Sequence, residues 1–513
     1  MFRKILVANR GEIAVRVIRA ARSLGVKTVA VYSDADRDAL FVRMADEAVR
    51  LGPAPAAESY LRQDLIVDVC LQTGADAVHP GYGFLSENAA FARRLASAGI
   101  TFIGPSPEAM ERLGDKVSAR KAAVEAGVPV SPGSEGALPD ATEAARVAAG
   151  VGYPVMLKAA AGGGGIGMRV VADEAGMADA FEGARSTAEA AFGVPDVFLE
   201  KFIERPRHIE VQVIGDHHGN VVHLGERECS IQRRHQKLVE EAPSPALTDQ
   251  ERQDIGAKAV ALAKAGGYTN AGTLEFLYED GAFYFNEMNT RLQVEHPVTE
   301  MVTGIDLAAW QIRVAAGEPL GFTQDDIELR GHAIELRINA EDPAKDLLPS
   351  PGRVAAWSPP AGPGVRVDHG LVQGWTVPAV YDSMVAKVIA HGADRDEAVR
   401  RLEDALSEMR LVGFPTNVPV HKAILADEAF RAGDLTTRFL EERNILEQVA
   451  GSGVDRSEAR RVAAIVAALD HPALGGLRIL HHRQTSVVET RGVVEMRPVT
   501  RDPRPHEAQV VKR

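Results

Sequence analysis

The chain has 513 residues, 45% of them hydrophobic and 25% charged, with a net charge of -13. That length exceeds one compact core, because domains hold roughly 100–200 residues, so two to four domains are expected. The acidic balance argues against nucleic acid or an anionic membrane surface as partner. No apolar run reaches the ~18 residues of a membrane span, and Cys70 and Cys229 form neither a CxxC pair nor a disulfide framework.

The N-terminal MFRKILVANR runs straight into a strand-like stretch without the layout of a signal peptide, so a reducing, cytoplasmic setting is expected. In chain order, the pattern predicts a strand at Lys4–Ala8, a turn at Asn9–Glu12, a helix at Ile13–Leu24 and a strand at Thr28–Tyr32. Alternation continues through Ala77–Val78 and Phe102–Gly104, which predicts a Rossmann-like parallel-sheet lobe ending near residue 110. Lys116–Ala126 reads as a helix, and the Pro/Gly-rich passage from Val128 to Pro139 as a hinge. A small α+β module follows, with strands at Val155–Lys158, Met168–Val171, Val197–Glu200 and Ile209–Ile214 around a glycine loop at Gly162–Gly167. Many short strands between 205 and 445 predict a larger antiparallel lobe. Beyond about 450 the composition changes, with an apolar-striped helix at Arg456–Asp470 and an Arg/His/Pro-rich tail.

The segment Glu287-Met-Asn289-Thr-Arg291-Leu-Gln293-Val-Glu295 carries a polar residue at every second position. In an extended chain those five side chains share one face, and two carboxylates, an amide and a guanidinium in a row are unusual for a merely solvated one. Thr273–Tyr278, a Glu-Asp-Gly turn and Ala282–Asn289 predict a hairpin that sets Glu275 opposite Phe285, diagonal to Glu287 and on the same face. Glu275, Glu287 and Asn289 then make a hard oxygen cluster, suited to Mg²⁺ or Mn²⁺ bridging phosphates rather than to zinc.

The glycine loop after Lys158 joins two strands, which separates it from dinucleotide-binding turns and from P-loops. A glycine hairpin can still offer backbone N–H groups to phosphate, with Lys158 as a point charge. Glu226–Lys237, dense in donors, reads either as an exposed basic loop or as an anion-binding segment. Gly331–Asn339, with Glu335 and Arg337 on one face, reads as an ordinary amphipathic strand. His79–Asn88 serves equally as a structural turn or as a ligand loop beyond a strand end.

Together these segments resemble the biotin carboxylase family of ATP-grasp ligases, from about Phe2 to Glu441. The resemblance rests on ANRGEIA at 8–14, HPGYGFLSEN at 79–88, GDK at 114–116, the glycine loop, CSIQRRHQK at 229–237 and EMNTRLQVEHPVTE at 287–300. It implies an N-terminal domain at 1–115, an ATP-grasp region at 116–316 with a lid at about 130–204, a C-terminal domain at 317–446 and a divergent tail at 447–513. It also implies ATP contacts at Lys116, Lys158, Gly164, Gly165, Glu200, Lys201, Phe202, Ile203, His208, Gln232, His235 and Leu277, and Mg²⁺ ligands at Glu275, Glu287 and Asn289. Bicarbonate would sit among Lys237, Arg291, Gln293 and the Val294 N–H, with Glu295 as base. Arg337 would stabilise the biotin enolate, and Tyr82 would line the substrate site.

Three departures qualify this. Ile166 stands in the lid where many acyl-CoA carboxylase relatives carry Arg or Lys and urea carboxylase-type relatives often carry Ile. His235 and EMNT point back to the acyl-CoA type, ahead of urea, guanidine or pyruvate carboxylation. The chain contains no Ala-Met-Lys-Met attachment sequence, so biotin is expected on a separate carrier protein, with a carboxyltransferase on another chain; the family also implies a homodimer. The tail lies outside the resemblance, and its apolar helix could equally dock a partner or pack on its own lobe. A different ATP-grasp ligase and a regulatory nucleotide-binding relative fit the retained Lys237, Glu295 and Arg337 less well.

Overall fold

Ile5, Leu6 and Val7 are fully buried in β1 (Lys4–Val7), as a parallel strand covered on both faces requires. A computed structural model describes residues 1–134, 136–159 and 168–451 and the backbone of 478–482 and 485–489. α1 (Gly11–Ser23) follows β1, then β2 (Lys27–Ser33), β3 (Glu47–Gly52), β4 (Ala77–His79) and β5 (Thr101–Phe102). These five form a parallel sheet in the order β3-β2-β1-β4-β5. The strand order reverses around β1, so the turn at residues 8–10 and the loop after His79 lie together at the carboxyl ends of neighbouring strands, where doubly wound sheets bind ligands.

α2 (Lys116–Glu125) is capped by Asp115, whose side chain accepts from the Ser118 N–H. The small module is a three-stranded antiparallel sheet of β6 (Val155–Ala159), β7 (Arg169–Val171) and β8 (Val197–Lys201), in the order β7-β6-β8, covered by helices Ala141–Val151 and Met177–Phe192. Gly164, Gly165 and Ile166, expected in a lid, lie outside the described residues.

The large lobe holds β9 (Arg207–Gly215), β10 (Val221–Arg233), β11 (Gln236–Ala242), β12 (Asn270–Glu279), β13 (Ala282–Asn289), β14 (His332–Asn339), β15 (Val365–His369) and β16 (Met384–Gly392). They make one antiparallel sheet in the order β13-β12-β9-β10-β11-β14-β16-β15. The sheet runs without a break across the domain boundary expected at residue 316. Residues 1–449 form one unit and 450–513 a second. In the second unit, Arg478–His482 pairs antiparallel with Thr485–Glu489, while the expected helix at Arg456–Asp470 lies outside the described residues. Among the described residues, no helix is long and apolar enough to cross a membrane.

Two expectations are corrected. The β12–β13 hairpin pairs Glu275 with Glu287 directly, and Phe276 with Phe285; Asn286 is the extra residue of a bulge between them. A bulge shifts the register, and here it sets the two residues directly opposite one another rather than on a diagonal. The extended run also stops at Asn289: residues 290–295 form a loop, and Glu295 is the N-cap of α3 (His296–Thr303). Pro297 in the first turn of α3 accounts for the break, because proline suits a helix start and cannot donate to a sheet. Arg291, Gln293 and Glu295 are therefore gathered by a loop rather than by strand alternation.

Candidate active site

A cavity of about 1480 Å³ opens between the parallel-sheet lobe, the small module and the large sheet. It is lined by Lys116, Lys158, Glu200, His208, Gln232, His235, Lys237, Glu275, Leu277, Glu287, Asn289, Arg291, Gln293, Val294, Glu295, Arg337 and Tyr82. Residues spread over more than 250 positions of sequence thus meet in one space. It has room for a nucleotide beside a second substrate, since ordinary ligand pockets span roughly 300–1,000 Å³.

At its centre the Lys237 Nζ donates to Glu210 at 2.5 Å, Glu275 at 3.0 Å and Glu295 at 2.6 Å. Burial alone would favour the neutral amine, but these three carboxylates hold the Lys237 ammonium well above its usual range. Glu295 is 2% exposed. Burial opposes its ionisation, yet Lys237, Arg337 and Arg227 hold its carboxyl well below the usual carboxylate range. Arg337 Nη2 donates to Glu295 at 2.9 Å and Arg337 Nε to Glu240 at 2.5 Å. The strand carrying Glu335 and Arg337 is thus not an ordinary amphipathic one: both residues point into a buried ionic layer.

The oxygen cluster forms around the hairpin. Asn289 Nδ2 donates to Glu275 at 2.9 Å, and Lys116 Nζ lies 3.4 Å from Glu287. Arg291 Nη2 donates to the Asn289 side-chain carbonyl oxygen and Arg291 Nε to Glu87, both at 2.9 Å. Gln293 donates to Glu275 at 2.8 Å and accepts from Arg227 at 2.9 Å. Two carboxylates and an amide oxygen, without thiolate, fit a hard divalent cation. His208, Glu210 and Glu275 also bring ligand atoms within 4.8 Å of one another, and the Lys237 ammonium bonds two of the three.

On the side of the small module, Lys158 Nζ pairs with Glu200 at 2.5 Å, and Arg120 lies 3.4 Å from the same carboxylate. Lys201 instead donates to the Gly152 and Tyr153 carbonyls, and the Phe202 N–H to the Pro154 carbonyl, which fixes the path of Glu200–Ile203 along the cavity wall. Glu226–Lys237 is not a loop but mostly strand: β10 and β11 join through Arg234 and His235, both at positive φ. That turn leaves His235 lining the cavity, while Arg233 and Arg234 pair with Asp346. The loop after β4 is a braced turn whose side chains also reach the cavity wall. Asn9 Nδ2 donates to the Pro80 and Tyr82 carbonyls, which holds the turn, while Tyr82 and Glu87 reach the site.

Models of the biotin carboxylase N-terminal domain, the carbamoyl-phosphate synthase L chain ATP-binding domain and the biotin carboxylase C-terminal domain match residues 1–110, 115–323 and 335–442. The chain belongs to the biotin carboxylase family. This makes it an ATP-dependent carboxylase acting on biotin. It is 53% identical to the biotin carboxylase of Pseudomonas aeruginosa over 86% of this chain and 99% of that one. It is 56% identical to a pyruvate carboxylase subunit of Methanothermobacter thermautotrophicus over 86% of this chain and 90% of that one. Among solved structures, the biotin carboxylase domain of Hydrogenobacter thermophilus 2-oxoglutarate carboxylase was determined as a dimer with MgADP, ADP and bicarbonate. It aligns with a TM-score of 0.82 and 51% identity, covering 87% of this chain and 98% of that one.

Sequence reasoning missed Glu210, Arg227, Glu240 and Glu12, which surround the named residues. Arg227 is fully buried and bonds Glu210, Gln212, Thr299, Thr273 and Gln293. Its signal was available: a charged residue inside a strand that is otherwise buried has to be paired.

Proposed function

We propose that this enzyme carboxylates biotin with bicarbonate through carboxyphosphate, the biotin being presented by a carrier protein or domain. The observation that carries the reading is Glu295: a buried carboxylate kept ionised between Lys237 and Arg337, beside the Glu275–Glu287 pair. In this reading the enzyme uses ATP, Mg²⁺ and biotin. When bound, Mg²⁺ neutralises charge on the phosphate oxygens, and Glu275, Glu287 and Asn289 are the residues that would hold it. Lys116, Lys158 and the wall from Glu200 to Ile203, with His208, Gln232, His235 and Leu277, orient the nucleotide. Lys237, Arg291, Gln293 and the Val294 N–H hold bicarbonate. Glu295 removes its proton, and the resulting dianion attacks the γ-phosphorus as ADP leaves. Carboxyphosphate then yields CO₂ and phosphate, and phosphate takes the N1′ proton of biotin. Arg337 stabilises the developing enolate with a charge that persists at any working pH. Tyr82 closes the biotin side.

For the final acceptor, an acyl-CoA is proposed on His235 and the EMNT sequence. A 2-oxo acid is the second reading, favoured by the likeness to the 2-oxoglutarate carboxylase domain and by the 56% identity to the pyruvate carboxylase relative. Bicarbonate-dependent ATP hydrolysis with and without free biotin tests the core reaction: biotin is expected to stimulate it in the presence of Mg²⁺, and no stimulation sinks the reading. Capture of the carrier and its carboxyltransferase, then assay of carboxyl transfer to acetyl-CoA, propionyl-CoA and pyruvate, separates the acceptors.

A further inference from the structure

Strand β16 reads MVAKVIAHG, and its one lysine, Lys387, has no exposed surface. A buried ammonium is costly unless fully paired, so the surroundings of this one define its role. Lys387 sits opposite Arg337 on β14 and opposite Asp368 on β15, so all three side chains leave the same face of the sheet. Its Nζ donates to the Val294 carbonyl at 2.6 Å and lies 3.4 Å from Glu12 Oε1 on α1. The Tyr82 hydroxyl donates to that same Glu12 oxygen. Glu335, two residues from Arg337, faces this layer with neither carboxylate oxygen hydrogen-bonded among the described residues.

We propose that Lys387 is a positioning residue for the bicarbonate and biotin sites, holding the Val294–Glu295 peptide from below and tying it through Glu12 to Tyr82. The inference rests on the bicarbonate and biotin roles proposed above. The Val294 carbonyl belongs to the peptide that carries the Glu295 nitrogen, so fixing it sets the plane from which α3 starts and the Glu295 side chain departs. Among the described residues, the loop 290–295 has no strand partner of its own to do this. Through Glu12, the same ammonium reaches the first lobe, so one buried charge joins the large sheet, α1 and the tyrosine that lines the opposite wall. The hydrogen bond and ion pair of Lys387 run to Val294 and Glu12, not to Lys116, Lys158, His208 or the Glu200–Ile203 wall, so its effect should fall on bicarbonate and biotin rather than on nucleotide.

The test compares wild type, Lys387→Met and the charge-balanced double variant Lys387→Met/Glu12→Gln in bicarbonate-dependent ATP hydrolysis, with melting temperature measured on each. The double variant removes the cation together with the carboxylate it would otherwise strand. Misplaced reacting groups cost roughly 10–100-fold. The expected result is a KM for bicarbonate raised, or kcat lowered, by about that factor in the folded double variant, with KM for ATP within about twofold of wild type. Unchanged bicarbonate KM and kcat overturn the proposal. So does a parallel rise of both KM values with a lost melting transition, the mark of a merely structural lysine. A wild type that shows no biotin-stimulated, bicarbonate-dependent hydrolysis overturns the reaction assignment itself, and is seen separately in the first arm.

Discussion

Glu240 and Glu241 are neighbours in β11, both fully buried, and their carboxyl groups are driven in opposite directions. Glu240 is buried behind Arg337, which lines the cavity. Burial raises its pKa, Arg337 lowers it and Glu295 raises it again, and the carboxyl ends up at about 7. One of its oxygens bonds Arg337, and the other has no hydrogen-bond partner among the described residues. Glu241 points through the opposite face. His332 donates to it at 2.6 Å and Arg395 at 2.6 and 3.0 Å, and although burial opposes ionisation, these partners lower its carboxyl to about 2. One face of the strand matches each acid with its own cations. The other packs Glu210, Glu240, Glu275, Glu295 and Glu335 around a few shared ones. Frustrated electrostatics of this kind concentrate at functional sites.

The largest effect expected on the active face comes from Glu295→Gln. It removes the proposed base while keeping shape, and should lower bicarbonate-dependent turnover by about 10²–10⁴-fold with nucleotide affinity unchanged, read by steady-state hydrolysis and calorimetric titration of ATP analogue. On the opposite face, Glu241→Gln should leave Arg395 short of a buried counter-charge and cost about 3–5 kcal/mol in urea unfolding, without changing kcat of the folded enzyme. The folded-state carboxyl of Glu241 lies below the ordinary value near 4.5, so its contribution is present above that value and fades as pH falls toward about 2. The gap between wild type and Glu241→Gln should therefore narrow on acidification. If the variant instead kept its stability and lost kcat, the two faces would not differ in the way described.

The smallest shift, and the one with reversed sign, belongs to Glu240→Gln. Folding raises this carboxyl from 4.5 to about 7, so the native state is increasingly penalised as pH rises through that window. The glutamine variant should thus gain stability relative to wild type between about pH 5 and 8, by on the order of 1–3 kcal/mol, and lose any titration near 7 from its pH–rate profile. Melting temperatures across that pH range check it; a gain that grows toward low pH would contradict the assigned cause.

Much of the fold was legible in local pattern. Lys4–Val7, Gly11–Ser23, Lys27–Ser33, Lys116–Glu125 and Val155–Ala159 fall within a few residues of the expected elements, because apolar periodicity reports burial directly. The hairpin after Glu275 was visible from its Glu-Asp-Gly turn, but the bulge at Asn286 was not. One extra residue in a strand leaves no compositional trace, and it shifts register enough to change which residue Glu275 faces. Alternation likewise grouped Glu287 to Glu295 as one face, although Pro297 and the start of α3 end the strand at Asn289. The five side chains still line one cavity for a reason that pattern does not contain: the loop folds back, and Lys387 donates to its Val294 carbonyl.

The sequence by itself determined which residues are polar where a buried strand should be apolar, and so which had to find partners: Glu275, Arg227, Arg337 and Lys387. Tertiary structure alone decided the pairings, setting Lys237 among three glutamates, Arg337 between Glu240 and Glu295, and Glu240 and Glu241 in opposite electrostatic surroundings. The physical reason is range. Periodicity and turn chemistry act over a few residues and are written locally, whereas a charge buried in a low-dielectric interior answers to every other charge within several ångströms, whatever their separation along the chain.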